Sequence, residues 1–210
     1  MIDIKDPQAI EEKSMAIIKE ELGELFCPPE EEAVIKRVVH ATADLEFARL
    51  ITIAPGAVKK AVSSLKKGAN VVTDVSMVKA GVNKRILSFL GAEVKTYIGD
   101  QDVALAAKEK GITRSMMAMR KAVRDKDNRI FLIGNAPTAL FELINLLRAG
   151  QAELDLIIGT PVGFVGAREA KEELAKSKFP YITVKGRKGG SPVAAAALNA
   201  ILYLIQGQWS

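Results

Sequence analysis

The chain has 210 residues, of which 49% are hydrophobic, 26% charged and only 5% aromatic. That is enough for one domain with an aliphatic core, or one domain with a small extension. No apolar run approaches the ~20 residues of a membrane span, and Met1-Ile2-Asp3-Ile4-Lys5-Asp6 has no secretory signal core, so a cytoplasmic protein without a membrane partner is expected. The net charge of +5 suits an anionic partner. Nucleic acid is not expected, because Lys and Arg are scattered without interleaved aromatic platforms. One His and one Cys, Cys27, exclude an internal disulfide and a four-ligand zinc site. No carboxylate spacing marks another metal site.

In chain order, Asp6-Pro7 reads as an N-cap with proline at the first helical position, and Gly23 ends that helix. Ser14 falls on its apolar stripe, either as a small filler bonded to a backbone carbonyl or as a hydroxyl aimed into a pocket. After Phe26-Cys27-Pro28-Pro29, three glutamates open a second helix. The spacing Val34, Val38, Ala41 carries it through His40, the only histidine, and puts Arg37 on the same face. This pairs a permanent cation with the one side chain that titrates near neutrality. The competing reading is a histidine packed on the core. Leu50 to Ile53 reads as a minor strand, and Ala54-Pro55-Gly56 turns into a helix through Leu65.

Five short β-branched runs then alternate with helices: 71–73, 94–98, 130–133, 156–158 and 181–184. The intervening helices are predicted over 79–90, 102–124, 138–147, 168–176 and 192–205. Strands apolar on both faces and separated by helices predict an α/β, doubly wound, mostly parallel five-stranded sheet. The alanine-rich last helix is suited to close packing on the sheet or on a second subunit.

Ligands of such sheets bind beyond the carboxyl ends of the strands. Glycine-containing loops cluster there: Gly134-Asn135-Ala136-Pro137, Gly159 to Gly166, and Gly186-Arg187-Lys188-Gly189-Gly190-Ser191. Helix N-termini after them suit carboxylates or phosphates. No phosphate-binding G-x-x-x-x-G-K-[ST], early G-x-G-x-x-G or G-x-S-x-G pattern occurs. What remains is one imidazole, several cations and many backbone donors, a set suited to proton transfer on a large anion. A nucleotide-dependent enzyme on the same fold and a non-catalytic carrier stay open at this point.

Arg37-Val38-Val39-His40, Val72-Thr73-Asp74-Val75-Ser76-Met77-Val78-Lys79-Ala80-Gly81, Thr113-Arg114-Ser115, Gly134-Asn135-Ala136-Pro137-Thr138-Ala139-Leu140, Pro161-Val162-Gly163-Phe164-Val165-Gly166-Ala167 and Gly186-Arg187-Lys188-Gly189-Gly190-Ser191 together resemble the precorrin-8X methylmutase family of cobalamin biosynthesis. The resemblance spans nearly the whole chain. It implies a flavodoxin-like fold with helices on both faces, residues 1–50 as an N-terminal helical segment and 51–210 as the sheet portion of one domain, 1–210. It also implies a homodimeric isomerase, with no cofactor, that moves a methyl group from C11 to C12 of ring C and yields the corrin product. The family's acid/base histidine maps onto His40, its substrate-facing serine onto Ser14, and its arginines onto Arg37 and Arg114. Asn135, Gly189, Gly190 and Ser191, with the N–H groups after Gly134 and Gly189, are the expected grips on a tetrapyrrole's acidic arms, with Arg187 or Lys188 beside them. The alternative on this reading is a tetrapyrrole carrier whose His40 only grips the pigment.

Overall fold

The computed structural model describes residues 5–207. Met1 to Ile4, the start of the alternating-charge stretch, and residues 208–210 lie outside the described part. The described chain up to Leu50 is helical: α1 (Pro7–Leu22), α2 (Pro29–Thr42) and the single turn α3 (Phe47–Leu50). The Asp6 side chain accepts the Gln8 N–H at 3.0 Å, and Gly23 ends α1 at φ +64°.

Strand β1 (Ile51–Ile53) and helix α4 (Ala57–Lys66) follow. The alternating part comprises β2 (Asn70–Thr73), α5 (Ser76–Gly81), α6 (Lys84–Phe89), β3 (Val94–Thr96), α7 (Gln101–Glu109) and α8 (Arg114–Ala122). It continues with β4 (Asn128–Ile133), α9 (Pro137–Arg148), β5 (Leu156–Gly159), α10 (Ala167–Ala175), β6 (Tyr181–Val184) and α11 (Ser191–Gln206).

The sheet has six strands among the described residues, not five, in the order β1-β6-β5-β4-β2-β3. The extra strand is β1, the minor strand of the sequence, which pairs antiparallel with β6 from Ile51 opposite Val184 to Ile53 opposite Ile182. The other five are parallel. Numbered among themselves they run 2-1-3-4-5, so the chain reverses direction across the sheet between β2 and β4.

Two predicted helices are each broken in two. Residues 79–90 split into α5 and α6 because Asn83 caps a new helix, its side chain accepting the Ile86 N–H at 3.2 Å. Residues 102–124 split into α7 and α8 at Gly111, φ +61°, where Thr113 caps α8 through Met116. Local capping outweighed the continuous apolar pattern.

Strand side chains alternate between two cores. Val71, Ile130, Leu132, Ile158 and Val184 pack under α2, α4, α5, α6 and α11. Val72, Phe131, Ile133 and Ile157 pack under α7 to α10. Each fully buried aliphatic side chain contributes about 1.5–3 kcal/mol. The alanines of α11 are buried within this one chain, and a Cβ on Gly81 would sit 2.8 Å from that of Ala195. Small residues therefore let α5 approach α11 closely.

Candidate functional site

The loops after β2, β4, β5 and β6 meet at the sheet's carboxyl edge. The loop after β3 turns away from it: Asp100 and Asp102 bind Lys121, at the end of α8 opposite Arg114. At the edge, Asp74 is fully buried just beyond β2. Its Oδ1 accepts the Gly134 N–H at 3.0 Å, and its Oδ2 accepts those of Asn135 and Ala136, both at 2.8 Å. Burial pushes this carboxyl upward from its ordinary range, against the opposing pull of the three amides. Those amides, expected from the sequence to meet an anionic ligand, are therefore occupied by the chain's own carboxylate. The exposed Asn135 side chain remains at the edge.

The loop after β6 lies against the loop after β5. The Gly190 N–H donates to the Thr160 carbonyl at 2.8 Å, and the Thr160 hydroxyl is buried without a partner. Gly189 has φ +150°, and a Cβ there would lie 2.3 Å from the Thr160 oxygen, so only glycine fits. Gly134 is equally confined: its Cβ would meet Ser191 Cα at 2.9 Å. The glycines thus bring three loops into backbone contact. Helix α11 starts here with no side-chain cap, leaving the N–H groups of Ser191 and Val193 without a backbone acceptor. That end carries partial positive charge.

His40 is half-buried on α2. Its Nδ1 lies 3.4 Å from Arg37 Nη1. Arg37 Nη1 also donates to Glu11 Oε1 on α1 at 2.7 Å, and its guanidinium carbon sits 4.5 Å above the Tyr203 ring of α11. Ser14, one turn after Glu11, donates its hydroxyl to the Ile10 carbonyl at 2.8 Å. This is the bond of the filler reading, and the oxygen's lone pairs stay available. The end of α2 is tied to the sheet edge. Lys188 Nζ binds Asp44 Oδ2 and Glu46 Oε2, each at 2.6 Å, and these bonds hold the Asp44 carboxyl below its ordinary range. His40 is one helical turn before Asp44.

Arg114 is exposed at the first turn of α8. Its neighbour Thr113 bonds Thr138 of α9 at 3.1 Å, which places Arg114 beside the Asn135 loop. Arg187 lies over the Phe164 ring at 5.4 Å. Phe164 and Val165 are 85% and 89% exposed, with Met77 and Val162 also open. The edge therefore joins cations to an apolar surface. Exposed apolar area of this kind marks an interaction site.

Several participants escaped the sequence reading. Lys171 of α10 is 1% exposed, donates from Nζ to the Lys188 carbonyl at 2.5 Å, and is pushed down to about 8 by burial. Its signal was present, since it shares the apolar stripe of Ala167, Ala170 and Leu174. Asp74, Glu11 and Tyr203 gave no comparable signal, because their roles depend on segments distant in the chain.

Two cavities, of about 240 and 480 Å³, open elsewhere: one is lined by residues around Pro55 and Tyr181, the other by Lys60, Lys67, Arg129 and Asp155. Neither contains an expected site residue. Among the described residues no group of three His, Cys, Asp or Glu is placed to hold a metal, and no helix is long and apolar enough to cross a membrane.

Residues 9–204 match the sequence profile of a family described as precorrin-8X methylmutase. Cobalt-precorrin-8 methylmutase of Priestia megaterium is 49% identical, over 94% of this chain and 88% of that protein. Precorrin-8X methylmutase of Pseudomonas aeruginosa is 40% identical, over 96% and 98%. A crystal structure of precorrin-8x methyl mutase from Thermus thermophilus superposes with a TM-score of 0.87 at 35% identity, covering 95% of this chain and 98% of that one.

Proposed function

Since this chain belongs to the precorrin-8X methylmutase family, we propose that it moves the methyl group on ring C of precorrin-8X, or of its cobalt form, from C11 to C12. The product is the corrin, hydrogenobyrinic or cobyrinic acid. The reaction is an isomerisation, so substrate and product contain the same atoms and no oxidant or co-substrate is consumed. The observation that carries this reading is the placement of the only histidine, half-exposed and in contact with Arg37.

A methyl group migrates more readily when the conjugated system around its origin is electron-poor. A hydrogen bond or proton from His40 to a ring-C nitrogen withdraws density from C11. Positioned acid catalysis of this type supplies on the order of 100- to 10,000-fold. Arg37, Arg114 and Arg187, with Ser14, Asn135, Ser191 and the amide of Gly189, are proposed to grip the acetate and propionate arms, whereas the Gly190 N–H, expected to join them, is already given to the Thr160 carbonyl. Phe164, Val165 and Met77 offer an apolar bed for the flat macrocycle. Binding energy on the arms then serves orientation at ring C.

The same reading includes a cytoplasmic homodimer. It also treats 1–210 as one flavodoxin-like domain, with 1–50 as the helical segment that brings His40. Sedimentation of the purified protein tests the dimer. Incubation with metal-free and with cobalt-loaded substrate, followed by the change to the corrin spectrum, tests the activity. His40→Ala is expected to abolish nearly all turnover while product binding persists. Near-normal turnover in that variant overturns the assignment, and pigment held without conversion by the unaltered protein makes it a carrier.

A further inference from the structure

Three helices converge on Arg37. Its side chain is only 13% exposed, so its charge requires defined partners. Glu11 of α1 accepts from Nη1 at 2.7 Å, and Tyr203 of α11 lies beneath the guanidinium plane with its centroid 4.5 Å from Cζ. The aromatic face supports the plane without choosing the direction of any N–H. The carboxylate chooses it, because a charge-assisted hydrogen bond is directional. So held, the same Nη1 meets His40 Nδ1 at 3.4 Å.

A guanidinium has five N–H donors and no acceptor. In this contact Nδ1 is therefore the acceptor, and the neutral imidazole carries its hydrogen on Nε2. The opposite tautomer would set an N–H against an N–H. We propose that Glu11 is a positioning residue for His40: by anchoring Arg37 against Nδ1 it fixes the tautomer that offers an N–H from Nε2 outward. Glu11 touches neither His40 nor the reacting atoms. It acts through Arg37, and its catalytic consequence rests on the reading of His40 as the donor to ring C.

The presence of a single histidine makes a direct test available. With 15N-labelled full-length protein, long-range proton–nitrogen correlation shows one pair of imidazole nitrogens. The measurement is made at about pH 8.5, above the ordinary histidine range. The unaltered protein is expected to show one tautomer, protonated at Nε2, with Nδ1 displaced from the free-acceptor position by its hydrogen bond. Glu11→Ala, a change at a side chain 51% exposed, should return Nδ1 to the free position and admit both tautomers. Glu11→Asp should restore part of the original spectrum. In the same variants, kcat should fall about tenfold in Glu11→Ala with KM within about twofold, a loss smaller than full removal of positioned acid catalysis. A proton on Nδ1 in the unaltered protein, or an unchanged spectrum in Glu11→Ala, overturns the role of Glu11. A changed spectrum with unchanged kcat leaves the anchoring intact and overturns its catalytic consequence, whereas near-normal turnover in His40→Ala overturns His40 as the donor, so the two failures are told apart.

Discussion

Asp74 and Asn135 are 61 residues apart in sequence and joined by a 2.8 Å hydrogen bond from the Asn135 amide to the Asp74 carboxylate. With the bonds from Gly134 and Ala136, this closes the crevice between β2 and β4, where the strand order reverses. Other doubly wound proteins place a ligand in that crevice. Here a side chain occupies it. Asp74→Asn retains the volume but turns an amide NH₂ toward buried N–H groups. The expected loss is about 2–4 kcal/mol, the scale of unsatisfied buried donors. Urea unfolding measures it, and a midpoint equal to that of the unaltered protein refutes it.

Lys171 predicts an alkaline gain in stability. Burial lowers its pKa from 10.5 to about 8, so between those values the unfolded chain holds a proton that the folded chain has released. Stability therefore rises with pH across this window. At about 1.4 kcal/mol per unit the gain is about 3 kcal/mol. Below about pH 8 both states are protonated and the burial cost is carried in full. Lys171→Met should remove this slope, and urea midpoints at about pH 7.5 and about pH 10 compare the two proteins.

Gly189→Ala tests the loop contact at the edge. The added methyl meets the Thr160 carbonyl at 2.3 Å, and backbone oxygen cannot yield as a side chain would. The loop must shift, at about 1–3 kcal/mol of strain. Product affinity should fall more than thermal stability, since the displaced segment carries the proposed arm-binding residues Arg187 and Ser191. Calorimetric titration with the corrin product provides the comparison.

Arg114→Ala should leave folding stability within about 0.5 kcal/mol, because the side chain is exposed and has no ion-pair partner among the described residues. If it holds an acidic arm equally in ground and transition states, KM rises and kcat stays. A fall in kcat alone points to a contact made only during migration.

The five parallel strands were legible because runs such as Ile130 to Ile133 are apolar on both faces. So was the shared face of Arg37 and His40, since three-residue spacing is local. The sixth strand was hard to count: Ile51–Ile53 is three residues long and acquires its meaning only beside β6. The occupied amides after β4 were not legible at all. Nothing in Gly134-Asn135-Ala136 tells that a carboxylate 60 residues earlier will take them. Lys171 was legible in principle from its place on an apolar stripe, but composition alone makes a lysine look like surface.

Strand β1 has a consequence for synthesis. The Lys185 N–H donates to the Leu50 carbonyl, the Ala54 N–H to that of Tyr181, and α2 lies along α11. Part of the seat for α2 and β1 is therefore made by β6 and α11. On the ribosome, the segment bearing His40 emerges before β6 and α11 and waits for them before it can dock. Closing so long a loop is slow. A nascent chain stopped before α11 would thus display the imidazole on an undocked helix.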